Sequence, residues 1–358
     1  MNRVLLAGLE AAGAEVVICH VPVWADAQDK MAGVGAGRLT RAVRLLWAWM
    51  GLVARFVKLP PYDVLVVGYV GHFDLFLARF LTLFRPRPVV LNALISLYDT
   101  VVVDRGLVAP DTMVARLLHW VDRTAFRMAD RILIDTEAHG AHLAAAYGVP
   151  EGKFVRVFVG ADPAHLPEHP PVAPEGEGIT VLYVGTYIAL HGVEVILDAA
   201  ARLAGRDDIR FLMVGRGQEL EAMRARAGGL ANVTFDDRWV PRKELIDILG
   251  KSHVALGVFG AGAKAARVIP CKVFDALAMG RPVISADSPG VRELLTDGTD
   301  AVLVPAADGT ALANAVAGLA DEPERRMAVG RAGLSTFRAQ CTAEGIGAAL
   351  KGALEGVA

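Results

Sequence analysis

The sequence predicts an α/β protein of two doubly wound domains that face each other across a cleft. Short apolar, β-branched runs alternate with helical stretches of ten or more residues along the chain. That alternation is the pattern of crossover units, with parallel sheets covered by helices on both faces. The chain has 358 residues, beyond the size at which a single core usually stops growing. A Pro- and Gly-rich stretch, "HLPEHPPVAPEGEG" (165–178), interrupts the rhythm near the middle and reads as an interdomain linker. The expected organisation is a first domain over 1–165, a linker over 166–178 and a second domain over 179–335. A helical segment over 336–358 would follow, returning to the first domain.

In the first half, "NRVLLAGLEAAG" (2–13) has helical apolar spacing and a Gly stop, so it reads as a first helix. A strand over "RVLLAGL" with a very short return is the alternative. If the helix is right, the strand that opens such a sheet, usually an interior one, would lie upstream of Met1. Strands are expected in "EVVICHVP" (15–22), "YDVLVVGYVG" (62–71), "PVVLNALI" (88–95), "DRILIDT" (130–136) and "FVRVFVG" (154–160).

Between the first two of these lies "RLTRAVRLLWAWMGLVARFVKLP" (38–60), and from Lys30 to Tyr62 the chain carries six cations and no acid. Arg38, Arg41, Ala48 and Arg55 can share one helical face, with Leu39, Val43, Leu46, Trp47, Met50 and Val57 on an apolar one. Such a helix either lies in an anionic membrane interface or packs on a core with its arginines in water. Its most apolar part, "LLWAWMGLVA" (45–54), is too short to cross a bilayer.

Composition narrows the function classes. Apolar residues make up 54% and charged residues 21%, which describes a folded protein and excludes disorder. The net charge of −2 gives no bulk attraction to nucleic acid. Mean hydropathy is high at +0.40, which the basic amphipathic helix would help to explain. Cys19, Cys271 and Cys341 stand far apart, which argues against a zinc site or a disulfide framework and fits a cytosolic chain. No secretory leader pattern is legible, so the expected location is cytoplasmic, with a peripheral place on the inner face of the membrane if the basic helix lies in its interface.

The second half repeats the alternation with strands expected in "ITVLYVG" (179–185), "IRFLMVGRG" (209–217), "NVTFDD" (232–237), "HVALGVF" (253–259), "PVIS" (282–285) and "AVLVP" (301–305). Ligands of such sheets bind at the carboxyl ends of the strands. There, "VGTYIALHG" (184–192) and "VGRGQ" (214–218) supply glycine turns where a backbone can approach a phosphate. Simple turn chemistry is the plainer explanation of those glycines. In "VIPCKVFDALAMGRPVIS" (268–285), Pro270 suits the start of a helix whose N-terminus would face the cleft. Lys264, Arg267 and Lys272 gather cations at that end, a cradle for a diphosphate. Asp275, three residues past Lys272, can accept from two ribose hydroxyls, or it forms a surface pair with Lys272.

The order of these stretches resembles the family 4 retaining glycosyltransferases of the GT-B fold. The resemblance rests on Gly185, Gly192, Gly215 and Gly217, then "DALAMGRPVIS" and "PGVRELLTDGTDAVLV", and more loosely on "ADRILIDTEAHGAHLAAAYGVPEGKFVRVFVGAD" (129–162). It implies two Rossmann-like domains and a donor site on Gly185, Thr186, His191, Gly192, Gly215, Gly217, Val240, Lys264, Arg267, Lys272 and Asp275. Departures are plain. The family pattern places an Arg and a Lys near 186 and 191, where this chain has Thr186 and His191, and its first Glu falls on Arg267. Neutralisation of the diphosphate is therefore expected to be relocated to Lys264, Arg267 and Lys272, unless the site has decayed. The N-domain histidine of the family is not visible. His72 in "VGHFDLF" and Asp99 are the catalytic candidates, although a lone His after a strand is more often a structural hydrogen-bonder.

The expected activity is transfer of a sugar, with retention, from a nucleoside-diphosphate sugar to a saccharide or lipid-linked acceptor. No metal and no resident cofactor are expected, the nucleotide sugar being a co-substrate. A nucleotide-sugar epimerase on the same fold and a non-catalytic scaffold are the alternatives.

Overall fold

A computed structural model of the chain describes residues 2–22, 38–172 and 178–357, with side chains in the second stretch from 43 onward. Much of the proposed linker, 173–177, lies outside the described residues.

The first domain runs through α1 (Asn2–Ala11), α2 (Arg38–Val57), β1 (Leu65–Val67), α3 (Asp74–Thr82), β2 (Val89–Asn92), α4 (Met113–Met128), β3 (Arg131–Ile134), α5 (Glu137–Tyr147) and β4 (Phe154–Arg156). Its sheet is parallel in the order β1-β2-β3-β4. All four strands fall within predicted runs. Residues 2–11 are helical, as their spacing indicates.

The run 15–22 is not a strand, despite its β-branched composition. It lies along α2 instead, with Val21 against Gly51 and the Cys19 thiol 3.9 Å from the Leu52 carbonyl. Val17 and Ile18 are left exposed. Val16 packs on the core around Val4, Leu5 and Val90, and the run pairs with no strand among the described residues.

The second domain comprises β5 (Ile179–Val184), α6 (Val193–Arg202), β6 (Ile209–Val214), α7 (Leu220–Arg226), β7 (Val233–Asp236), α8 (Arg242–Gly250), β8 (Val254–Leu256), α9 (Cys271–Ala278), β9 (Val283–Ala286), α10 (Pro289–Arg292), β10 (Val302–Val304) and α11 (Gly309–Asp321). Its parallel sheet has the order β10-β9-β8-β5-β6-β7. The chain turns from β5 outward to β6 and β7, then returns to the other side of β5 with β8. The pair β5/β8 is thus the switch point, where the carboxyl ends of the strands open a crevice.

Two helices complete the chain: α12 (Pro323–Gln340) and α13 (Ala343–Glu355). α12 places Phe337 in the core of the second domain, beneath Phe274 and Leu277 of α9. α13 instead joins the first domain, where Ile346, Leu350 and Ala353 pack with Val4, Leu5 and Leu9 over Val90, Leu133 and Val157. A pair of glycines permits this approach: a Cβ on Gly347 would lie 2.4 Å from the Gly8 carbonyl oxygen.

Candidate donor site in the interdomain cleft

β5 ends in Tyr183-Val184-Gly185, and successive side chains of a strand alternate faces, so Tyr183 and Gly185 share one. Lys272, in the first turn of α9, reaches that face. Its ammonium stands 4.0 Å over the centroid of the Tyr183 ring and donates to the Gly257 carbonyl at the end of β8, at 3.3 Å. Gly185 leaves the room: a Cβ there would fall 2.8 Å from Lys272 Nζ and 2.9 Å from the Tyr183 hydroxyl. Lys272 therefore sits at the switch point, and it forms no ion pair among the described residues. Burial depresses its ammonium to about 7.

His191 lies beside it, Nδ1 2.7 Å from the Tyr183 hydroxyl, which also stands 3.1 Å from the Thr186 carbonyl oxygen. Burial, helped by the Lys272 charge, lowers the imidazole to about 3. His191 is neutral at physiological pH and does not replace the family's cation.

The glycines of the second turn serve packing before any ligand. Gly215 has φ 141°, and a Cβ on it would meet the Gly185 carbonyl oxygen at 1.9 Å. Gly217 bridges to Tyr187 with equally little room. These two turns can cross only without side chains. Gly192, at φ 61°, opens α6 against Gly260. Val240 is partly buried in the loop before α8 and packs on the core beneath it.

The structure splits the expected three-cation cradle. Lys264 Nζ lies 2.9 Å from Asp104 and 3.3 Å from Thr100 Oγ1, both in the first domain. Arg267 pairs with Asp99 at 3.3 Å, and its carbonyl accepts from Thr136 Oγ1. Two of the three cations thus bind the opposite domain, neutralised by acids that face them across the cleft. Asp275 is likewise engaged: Arg242, at the start of α8, donates to its Oδ1. Burial raises the Asp275 carboxyl and Arg242 opposes the rise.

His72 does not face the cleft. It is wholly buried, edge-on to Phe126 at 5.7 Å and 3.7 Å from Asp122, and burial lowers its pKa. A small loop after β1 folds inward there, so the histidine joins the core. Asp99 does reach the cleft, but between Arg267 and His142, whose Nε2 lies 3.5 Å away.

Four residues that matter to this geometry escape sequence reasoning. Asp122 accepts from the backbone N–H groups of Leu97 and Tyr98 and from Ser96 Oγ, fixing the turn that presents Asp99. Glu293 accepts from the N–H groups of Glu137 and Ala138 at the start of α5. Arg242 and Asp104 are the other two. None of the four carried a local signal, whereas Tyr183 did, through its alternation with Gly185 at the end of β5.

Comparison with known proteins agrees with this architecture. Residues 178–322 match the model for glycosyl transferases group 1, and residues 2–160 match the glycosyl transferase 4-like domain. The chain belongs to the group 1 glycosyltransferases. It is 35% identical over 147 residues to a phosphatidyl-myo-inositol mannosyltransferase of Mycobacterium leprae, covering 40% of this chain and 37% of that protein. It is 28% identical over 240 residues to the alpha-D-kanosaminyltransferase of Streptomyces kanamyceticus, covering 63% and 52%. The chain thus spans about half or less of the curated relatives it matches. Among solved structures, Anabaena HepE in complex with UDP-glucose superimposes with TM-score 0.66 at 15% identity, over 99% of this chain and 95% of that one. Sucrose-phosphate synthase from Thermosynechococcus elongatus gives 0.67 at 18%, over 88% and 78%. At those identities the likeness concerns the fold, a two-domain GT-B fold.

Proposed function

We propose that this group 1 glycosyltransferase takes a sugar from a nucleoside-diphosphate donor and passes it, with retention, to a saccharide or lipid-linked acceptor. One observation carries the donor half of this reading. Lys272 is an enclosed ammonium without a carboxylate partner among the described residues, placed at the switch point between β5 and β8. An unpaired charge held there is costly unless an anion completes it. The start of α9 adds its partial positive charge beside it. HepE, one of the structural neighbours, was solved with UDP-glucose, which makes a uridine nucleotide the first probe. The retained sugar geometry rests on the family resemblance.

Lys264 and Arg267 take a different part in this reading. Their acids hold the domains together, and they neutralise no diphosphate until those pairs open.

A lipid-linked acceptor gains support from α2. Val43, Leu46, Trp47, Met50 and Val57 are exposed, with Trp47 at 67%. Ala48 and Phe56 turn inward. Trp49 does too, donating to Asp74 Oδ1 at 2.9 Å, so only one of the two tryptophans can meet a membrane. Among the described residues no helix is long and apolar enough to span one.

The test is calorimetry with UDP, GDP, ADP and TDP, followed by analysis of the product formed from the sugar donor that binds. No binding by any of the four would end this reading and favour a scaffold. A donor converted without acceptor would favour an epimerase.

A further inference from the structure

We propose that Tyr183 is a positioning residue of the donor site, its ring holding the Lys272 ammonium at the switch point while its hydroxyl fixes the His191 turn. The inference rests on the donor-site reading of Lys272 and goes one step beneath it, to what keeps that charge in place.

Lys272 has four flexible methylenes and no acid to anchor it among the described residues. Two contacts restrain its ammonium: the Gly257 carbonyl at 3.3 Å, a long hydrogen bond, and the Tyr183 ring at 4.0 Å. A cation centred over an aromatic face within about 6 Å is attracted by the negative face of the ring, most strongly where water is excluded. Tyr183 is fully buried, so the ring cannot turn away. A carboxylate in its place would hold the ammonium too, but would also cancel the charge that an incoming diphosphate needs. A ring face holds the cation and leaves the charge unspent.

The hydroxyl does separate work. A plain core position would be filled equally well by Phe. The tyrosine oxygen instead meets His191 Nδ1 at 2.7 Å and the Thr186 carbonyl at 3.1 Å. It ties both ends of the turn that stands where the family pattern has its two cations. Other ionisable groups around the ring and its cation are His191 on that turn, Cys271 beside Lys272, Tyr187 with its ring 5.8 Å away, and Glu219 and Glu194, whose charges, like that of Tyr187, bear on the Tyr183 hydroxyl.

The experiment replaces Tyr183 first by Phe and then, by nonsense suppression, with mono-, di- and trifluorophenylalanine. Fluorine drains the ring face with little change of shape, so folding is spared. Two readouts follow: UDP affinity by calorimetry, and the pH midpoint of Lys272 acetylation in ligand-free protein, by mass spectrometry. With Tyr183→Phe, the Lys272 midpoint stays where it is in the unmodified protein. Across the fluorinated series, UDP binding weakens stepwise, by ~3- to 30-fold in all, and the midpoint falls in parallel. A midpoint that does not move with fluorination overturns the proposal. If the unmodified protein binds no UDP, the donor-site reading has failed, whereas the labelling series still decides whether Tyr183 holds Lys272.

Discussion

The Glu293 carboxylate accepts from the backbone N–H of Ala138 at 2.8 Å, so the second domain caps a helix of the first. The other carboxylate oxygen takes the Glu137 N–H at 2.7 Å, and Arg156 Nη1 stands 3.4 Å from it. α5 already has its own cap, since Thr136 Oγ1 accepts from the His139 N–H. Glu293 satisfies the two donors that Thr136 leaves free, and it adds a negative charge at the positive end of the helix.

Glu293→Ala should therefore loosen the closed arrangement without disturbing either core. A lost cap of this kind costs about 0.5–2 kcal/mol. The expected result is a lower denaturant midpoint, together with a larger radius of gyration in solution scattering. An unchanged midpoint and radius would mean that the cap contributes nothing to closure.

The cations of the cleft should separate into two classes. Lys272→Ala should weaken UDP binding by about 1.5–3 kcal/mol, the scale of a hydrogen bond to a charged group. Lys264→Ala should change it far less, because Asp104 already occupies that ammonium at 2.9 Å. Calorimetry on both variants decides. Equal losses would restore the three-cation cradle that the sequence suggested.

That division could not be seen in the sequence. Lys264 and Asp104 are separated by 160 residues, and Arg267 and Asp99 by 168. A run of cations beside a helix start looks alike whether its partner is a ligand or another domain. Lys272 was legible because its position depends on local order, namely strand, glycine and helix start. The parallel sheets were legible for the same reason, each strand falling within a residue of an apolar run. The run 15–22 was misread because composition fixes what can be a strand, whereas pairing depends on which edge is near. His72 was misread similarly: its strand was found, but the inward fold of the loop after it was not.

The packing of α1 on α13 makes a stability prediction. Gly347→Ala would place a methyl group 2.4 Å from the Gly8 carbonyl oxygen, a backbone atom that cannot step aside. Overpacking of this sort typically costs about 1–3 kcal/mol. The first domain should melt earlier while nucleotide binding in the second is retained. Gly352→Ala, with open space around its Cβ, is the matched control and should be neutral or slightly stabilising. Equal melting of the two variants would show that the helices can part without loss.

The exposed apolar face of α2 should bind anionic vesicles. Trp47→Ala removes a side chain that is 67% exposed, so it should reduce recovery with phosphatidylglycerol vesicles in flotation and leave the melting temperature unchanged. Trp49→Ala should do the reverse, since Trp49 holds Asp74. High salt should lower recovery of the unmodified protein because exposed charges are screened. Recovery that is absent even at low salt would leave α2 as an ordinary surface helix.

Donor affinity should fall as pH rises above neutrality. Lys272 titrates at about 7 in the free protein because burial disfavours its charged form. A bound diphosphate favours that charged form, so the pKa rises in the complex and binding above pH 7 takes up a proton. The sign follows directly. Below the free-protein pKa the ammonium is already present and affinity is flat. Above it, each further pH unit costs up to about tenfold in affinity, until the pKa of the complex is passed. His191 adds nothing to the slope, since it stays neutral from about 3 upward. UDP-glucose is the ligand to use, because its diphosphate is esterified at both ends and does not titrate in this range. Calorimetry between about pH 6 and about pH 9, in buffers of different ionisation enthalpy, counts the protons taken up. A flat affinity with no proton uptake across that window would mean that Lys272 does not meet the diphosphate.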